Sequence, residues 1–381
     1  MTSAKKSFSL YAISEARNVL FGIATLWIGL FHANNLTLAT YTDNWYISSA
    51  FRFFRSSGNA GVDIFLFLSG IGLYFSFAKD SRVGSFLKKR MMRVLPTALL
   101  IAVIYFSLRY VHGREEPILW EYLCRISFLE FFITGERVFW FISLILVLYL
   151  LFPPIYKAIE KFRIKGMLGL VALTLLVTFL LRALLPDIYA NLEIALCRIP
   201  VFIIGVWAGR FVMEKKEIDR RWLWLFLGAA LVMLAVMYKY TSIMKLLVPG
   251  YNKDMESMYI WLYRFAGTGL GVSLTVLLSF VCTELRHRGM ANILRNFFEF
   301  VGVYSMEYYM IFLNLNHYLE RVYKLKTEQE IMLYLGSFVI SLALCVLARK
   351  ACDFFMAQMQ KKPANLQELK EARKKKRTDK R

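Results

Sequence analysis

The feature that most constrains this chain is a series of long apolar stretches, because a helix needs about 20 apolar residues to cross the hydrocarbon core of a bilayer. Hydrophobic residues make up 58% of the 381-residue sequence, against about 45–50% in soluble domains. The sequence therefore predicts an all-α fold, a polytopic membrane helical bundle of about ten transmembrane helices. The predicted spans are residues 19–38, 60–79, 95–111, 138–156, 166–184, 196–212, 222–239, 257–282, 296–314 and 331–350.

Lys and Arg are distributed unevenly between the loops that join these stretches. Most of the 48 basic residues fall in one alternating set of segments. The set consists of the N-terminus and residues 79–93, 157–165, 210–221, 286–295 and 349–381. Since segments rich in Lys and Arg stay in the cytoplasm, we expect a multi-pass protein of the cell membrane with both termini cytoplasmic.

The net charge of +21 is thus interpreted as a sign of which loops face the cytoplasm. The basic residues lie in loops and in the tail, so nucleic acid is not an expected partner. Residues 1–350 are predicted to form one integral-membrane domain. Residues 351–381 are predicted to form a basic cytoplasmic tail, attracted to the anionic head groups of membrane lipids.

Several kinds of site find no support in the sequence. The five cysteines are scattered and form no CxxC or Cys/His cluster, so neither a metal site nor a disulfide framework is expected. The glycine-rich stretch at Gly267–Gly271 lies inside a predicted span, where it indicates close helix packing. No GxSxG motif occurs, and no permanently bound cofactor is expected.

His32 follows a long run of aliphatic and aromatic residues, near the end of the first predicted span. An ionisable side chain at membrane depth is costly and marks a candidate functional site. The alternative is a histidine at the membrane–water interface that caps the helix end. The sequence position alone leaves both interpretations open.

Other polar residues are embedded in apolar runs. Asp63 either holds an Arg or His, or is a helix N-terminal charge favoured by the dipole. Ser69, beside a glycine, favours close helix packing over a nucleophilic role. Glu307 needs a partner to be tolerated in a span, and Arg198 is one suggestion. The complete set is His32, Asp63, Ser69, Glu193, Arg198, Glu307 and Asn314.

Arg90 and Arg93 lie where a basic segment meets the third predicted span. Their spacing of three residues places them on one helical face. They either snorkel to the lipid head groups or bind an anionic ligand through charge-assisted hydrogen bonds.

Six segments, in order, resemble the integral-membrane acyltransferases of acyltransferase family 3, which O-acylate surface carbohydrates. The resemblance covers nearly all of residues 15–350. The segments are LFGIATLWIGLFH (Leu20–His32), AGVDIFLFLSGIGLYFS (Ala60–Ser76), FLKKRMMRVLP (Phe86–Pro96), VFWFISLILVLYLLFPP (Val138–Pro154), CRIPVFIIGVWAGR (Cys197–Arg210) and VGVYSMEYYMIF (Val301–Phe312).

This resemblance implies transfer of an acyl group, most simply acetyl, from cytosolic acyl-CoA to a hydroxyl of a cell-surface or lipid-linked carbohydrate. His32 would be the catalytic residue. A neutral imidazole in an apolar setting suits a general base, and a covalent acyl-histidine is the alternative. The expected partners are the carbohydrate acceptor, acyl-CoA and membrane lipids.

The donor would be bound by Arg90, Arg93 and Lys89, since coenzyme A is strongly anionic. Trp140 and Tyr149 would line the donor channel, or pack in the core. Two other functions stay open. The scattered charges also fit an exporter of a glycan precursor, and the absence of the family's Arg and Glu leaves room for a non-catalytic factor in polysaccharide assembly.

The chain departs from the family pattern at several positions. Phe21 stands where the family has an Arg eleven residues before the His, and Arg17 lies one helical turn earlier. Ile145 replaces a frequent Glu. Phe312 replaces a frequent His, with His317 five residues further on. Either Arg17 projects to the same face as Phe21 and takes over the role of the family's Arg, or that role is lost.

Overall fold

The computed structural model describes residues 7–33, 43–113, 118–286, 289–322 and 327–360. The predicted all-α membrane bundle is confirmed. Its first half contains α1 (Ala12–Glu15), α2 (Arg17–His32), α3 (Trp45–Ser57), α4 (Gly61–Lys79), α5 (Val83–Gly113), α6 (Leu119–Ile126), α7 (Glu130–Thr134) and α8 (Trp140–Leu184). Its second half contains α9 (Pro186–Leu196), α10 (Ile199–Met213), α11 (Arg221–Leu247), α12 (Glu256–Tyr259), α13 (Trp261–Glu284), α14 (Gly289–Val303), α15 (Ser305–Val322) and α16 (Thr327–Gln360).

A small antiparallel β-ribbon ties the beginning of the chain to a later loop. Strand β1 (Ser7–Ser9) pairs with β2 (Glu217–Asp219), with Phe8 opposite Ile218. Phe8 is buried, and its ring packs edge-on against Phe280 of α13. The ribbon thus fixes the segment that leads into α2.

Within the described residues, seven helical segments are long and apolar enough to cross a membrane. The predicted number of ten spans therefore stays a prediction. Spans 138–156 and 166–184 both belong to α8, which is interrupted at Arg163, where φ is 54°. Span 296–314 is divided between α14 and α15.

Three sequence predictions fall partly on residues outside the described part of the chain. Residues 34–38 of the first predicted span and the side chain of His317 lie outside the described residues. Residues 351–360 continue α16, and the remainder of the predicted tail also lies outside them.

Close packing of α4 on α10 forms the centre of the bundle. A Cβ atom at Gly70 would lie 2.6 Å from the carbonyl oxygen of Phe202. Only glycine therefore permits this approach of the two backbones. Gly70 of the Ser69–Gly70 pair thus lies at a close helix contact, and the packing role expected of Ser69 itself stays a prediction.

The first turns of α5 are held by aromatic packing. The Phe86 ring lies 5.2 Å from that of Phe77 on α4 and 5.1 Å from that of Phe152 on α8. In the preceding loop, Arg82 donates to both carboxylate oxygens of Asp80, each at 2.9 Å. These hydrogen bonds hold the pKa of Asp80 below its ordinary value. The hydrogen bonds of the loop and the contacts of the Phe86 ring together fix the start of α5, the helix that carries Arg90.

Candidate active site

A cavity with an empty volume of about 970 Å³ lies between α2, α4, α5, α8 and α15. On α2 and α4 the lining side chains follow one another at intervals of three or four residues, which is the spacing of one helical face, and most of the lining outside α5 is apolar or aromatic. On α2 and α4 these side chains are Arg17, Phe21, Thr25, Ile28, Val62, Phe65, Ser69 and Leu73. On α5, α8 and α15 they are Arg90, Arg93, Val94, Phe141, Ile142, Ile145, Tyr149, Ser305, Met306 and Tyr309.

Three arginines converge on this cavity, at the end of the bundle where α4 ends and α5 begins. Arg90 is only 8% exposed, Arg17 is half-buried, and Arg93 is exposed. We name this end the basic end of the bundle. The other end, at which α2 finishes, is named the opposite end. The cavity is therefore cationic at one end and apolar along most of its length.

The positive charge of these arginines has no counter-charge among the described residues. Within the part of the chain that the structure describes, no carboxylate pairs with Arg17, Arg90 or Arg93. The Nε atoms of Arg17 and Arg90 are buried without a hydrogen-bond partner. Because a buried cation without a counter-charge is costly, the arrangement suits an anionic ligand.

Aromatic rings support two of the three guanidinium groups. Arg17 lies 5.0 Å from the centre of the Phe21 ring, and Arg90 lies 5.6 Å from the centre of the Phe86 ring. Contacts of this kind stabilise a cation by about 0.5–2 kcal/mol, which is less than the cost of about 3–5 kcal/mol of leaving a buried charge without its partner. Phe21 and Arg17 line the same cavity, so Arg17 does project to the face of Phe21.

His32 is the last residue of α2 and does not line the cavity. It lies four residues, or about one helical turn, beyond Ile28, the last lining residue of α2. From Arg17 to His32 the helix rises about 22 Å. The imidazole is half-buried, and its ring lies edge-on to Phe31 at 5.1 Å. His32 thus belongs to the opposite end, in line with the cavity face of α2.

Of the other residues predicted to bind the donor, only Tyr149 joins the arginines in the cavity lining. Lys89 is exposed on α5 and is not part of the lining. Trp140 is buried, but its ring lies against Arg198, whose Cζ is 5.2 Å from the ring centre.

Towards the opposite end, a buried network of charged and polar groups joins α4, α9, α10 and α13. Arg198, fully buried, donates to Asn59 at 2.6 Å, and its Nε lies 3.8 Å from the Asp63 carboxylate. Asp63 also accepts a hydrogen bond from Thr268 at 3.0 Å. Asp63 is also the third residue of α4. Its carboxylate therefore lies both beside an arginine and near a helix N-terminus, as in the two roles considered for it.

Glu193 and Arg264 extend this network. Arg264 donates from Nε and Nη2 to the two carboxylate oxygens of Glu193, both at 3.1 Å. It also reaches Asn59 at 3.2 Å. Arg137, half-exposed, donates to the same carboxylate at 3.2 Å. The chain of contacts therefore runs from the surface to the buried Arg198.

The suggested pairing of Glu307 with Arg198 is wrong. Glu307, 1% exposed, accepts hydrogen bonds from Arg349 of α16, with Nη2 2.6 Å from Oε1 and 2.8 Å from Oε2. Arg349 also donates to the carbonyl of Val303. Asn314 donates to the carbonyl of Met310 in its own helix.

Sequence reasoning missed Arg264, Arg349 and Asn59 as parts of these networks. Arg264 lies inside the predicted span 257–282, and a charged residue in a span calls for a partner. That signal was available for Arg264. Asn59 and Arg349 stand at the edges of predicted spans, where polar residues are ordinary.

The family model described as an acyltransferase domain, acyltransferase family 3, matches residues 18–350. The chain belongs to this family. As a member of acyltransferase family 3 it is a membrane acyltransferase, which confirms the predicted reaction class and sets the exporter alternative aside. No curated protein and no solved structure shows a significant match to the chain.

Proposed function

We propose that this acyltransferase takes an acyl group, most simply acetyl, from acyl-CoA and transfers it to a hydroxyl of a cell-surface or lipid-linked carbohydrate. The observation that carries the proposal is the convergence of Arg17, Arg90 and Arg93 on one apolar cavity without a carboxylate. Phosphate groups of coenzyme A supply the missing negative charge, through charge-assisted hydrogen bonds.

The shape of the cavity supports the same donor. Coenzyme A carries its phosphates at one end and its thioester at the end of a long, weakly polar pantetheine arm. With the phosphates at the basic end, the arm lies along the face of α2 defined by Phe21, Thr25 and Ile28. The thioester then points towards His32.

His32 is proposed to act on the acceptor at the opposite end. Its imidazole takes the proton of the acceptor hydroxyl as the hydroxyl oxygen bonds to the acyl carbonyl carbon. The carbon–sulfur bond then breaks, and the electron pair leaves with the sulfur of coenzyme A. A general base of this kind contributes a factor of about 10²–10⁴ in rate.

The orientation in the membrane follows from the charge pattern. The positive-inside rule supports a cytoplasmic position for the basic end, both termini and the tail 351–381, on the side where acyl-CoA is available. Residues 1–350 then form the catalytic membrane domain. A donor bound from one side and an acceptor from the other make export of acyl-CoA unnecessary.

The test uses purified protein in lipid nanodiscs with acetyl-CoA and a polysaccharide acceptor. Release of the free thiol of coenzyme A and acetyl incorporation into the glycan are measured together. We expect both to proceed, and Arg90→Gln to raise the KM for acetyl-CoA about tenfold or more, since a hydrogen bond to a charged group contributes about 1.5–3 kcal/mol. The matched control is Arg221→Gln, because Arg221 is 91% exposed and its only described partner is Asp219.

Failure of wild-type protein to release coenzyme A with any of a panel of acyl-CoA donors and carbohydrate acceptors would overturn the proposal. Such a result would favour the non-catalytic role in polysaccharide assembly. Equal KM values for acetyl-CoA in Arg90→Gln and Arg221→Gln would show that the three arginines do not bind the donor.

A further inference from the structure

A second cavity, with an empty volume of about 1110 Å³, lies between α5, α15 and α16. We name it the lateral groove. On α5 its wall includes Leu100, Ile104 and Leu108, which are four residues apart and so share one helical face. On α16 the wall includes Leu344 and Leu347.

Faces with this spacing ordinarily pack against one another, but here the three helices leave space between them. The side chains that line an empty apolar groove lack van der Waals partners on one side, so an apolar occupant would stabilise them. Water does not fill it well, because apolar cavities stay dry. The polar side chain of Asn314, on the α15 wall, donates to the carbonyl of Met310 in its own helix.

The lateral groove opens sideways, towards the surroundings of the bundle. Ile104 and Leu347 line it, yet they are 52% and 60% exposed. Both belong to segments long and apolar enough to cross a membrane, Val83–Val111 and Met332–Gln358. The medium at that opening is therefore the hydrocarbon of the bilayer.

Helix α15 stands between the lateral groove and the cationic cavity. Met306 and Tyr309 face the cavity, whereas Met310 and Ile311 face the groove. An occupant of the groove is thus packed behind the wall of the reaction cavity. This separation favours a resident lipid over a reacting substrate.

We propose that the lateral groove binds one acyl chain of a bilayer phospholipid. The bound chain fills the void, completes the packing of α5, α15 and α16, and supports α15 from behind Tyr309. This site is independent of the identity of acyl donor and acceptor.

The first experiment measures phospholipid retained by purified protein after extensive detergent exchange, by mass spectrometry and total phosphate. Ala348 and Ala351 line the groove, so Ala348→Phe/Ala351→Phe places two rings in it. The control is Ala343→Phe, on the same helix, where the alanine is exposed and outside the lining. We expect wild type and control to retain phospholipid, and the double variant about tenfold less, which corresponds to 1.4 kcal/mol.

Equal retention by the folded double variant and wild type would overturn the proposal, as would an isoprenoid lipid in place of a phospholipid. A second measurement needs no variant. Wild-type protein is reconstituted with a phosphatidylglycerol whose acyl chain carries a photoreactive diazirine. Labelling is expected in residues 100–108 and 344–351, and its absence from both segments would contradict the site.

Discussion

Gly72 of α4 faces Arg17 of α2 so closely that a Cβ atom at residue 72 would lie 2.9 Å from Nη2 of the arginine. A side chain at residue 72 would therefore have to displace the guanidinium of Arg17. Gly72 is thereby a positioning residue for one of the three arginines of the cationic cavity.

Gly72→Val should displace Arg17 and weaken donor binding. We expect the KM for acetyl-CoA to rise about tenfold, the loss of one charge-assisted contact, with kcat nearly unchanged. The control is Gly169→Val, since residue 169 of α8 has open space around it. Equal KM values in the two variants would show that Arg17 is not held by Gly72. The measurement is donor titration in nanodiscs.

His32→Ala should abolish acyl transfer while the protein inserts and folds normally. The reason is the loss of the proposed general base, worth a factor of about 10²–10⁴ in rate. Leu30→Ala, two residues earlier in α2, serves as the control. The readout is the acyl content of the cell's glycan, and an unchanged content in His32→Ala would contradict the assignment.

The role of His32 as base or as acyl carrier can be separated on wild-type protein. Without acceptor, labelled acetyl-CoA should leave no label on the protein after a rapid neutral quench if His32 is a base. Label on the peptide that contains His32 would instead establish the acyl-histidine.

Asp63→Asn should destabilise the protein strongly. It leaves the fully buried Arg198 without its carboxylate, and breaking a buried pair in this way costs about 3–5 kcal/mol. Asp219→Asn is the control, because its partner Arg221 is 91% exposed and an exposed pair contributes at most about 1 kcal/mol. Thermal unfolding of the two variants in the same detergent compares them, and similar midpoints would refute a structural role for the Asp63–Arg198 contact.

Arg349→Lys should destabilise the protein less than Arg349→Met, without restoring wild-type stability. Lysine keeps the charge beside Glu307 but cannot donate in the forked geometry of a guanidinium. The geometry matters because Arg349 joins α16 both to Glu307 of α15 and to the Val303 carbonyl at the end of α14. Unfolding midpoints in detergent rank the two variants, and equal midpoints would show that only the charge counts.

The helical membrane bundle and the shared face of Arg90 and Arg93 could be predicted because both depend on local information. Hydrophobic length predicts the spanning helices, and the three-residue spacing of Arg90 and Arg93 predicts one shared face. Arg17 joined them because it lies one turn from Phe21, on the same side of α2.

The partners of the buried charges could not be predicted, because they come from helices distant in sequence. Arg198 and Asn59 are 139 residues apart, and Arg349 and Glu307 are 42 apart. A sequence shows that a charge in a span needs a partner, but only the packing of the helices selects it. For the same reason the placement of Trp140 against Arg198, outside the cavity lining, required the structure.

The separation of the paired charges has a consequence for biosynthesis. Ribosomes add about 5–20 residues per second, so Asp63 emerges about 7–27 s before Arg198. During that interval α4 carries an acidic group whose eventual counter-ion has not been made. Either the carboxyl group enters the bilayer protonated, or the insertion machinery retains α4 until α10 arrives. Assembly of the bundle is thus expected to be delayed until the ribosome has passed Arg264, which completes the network.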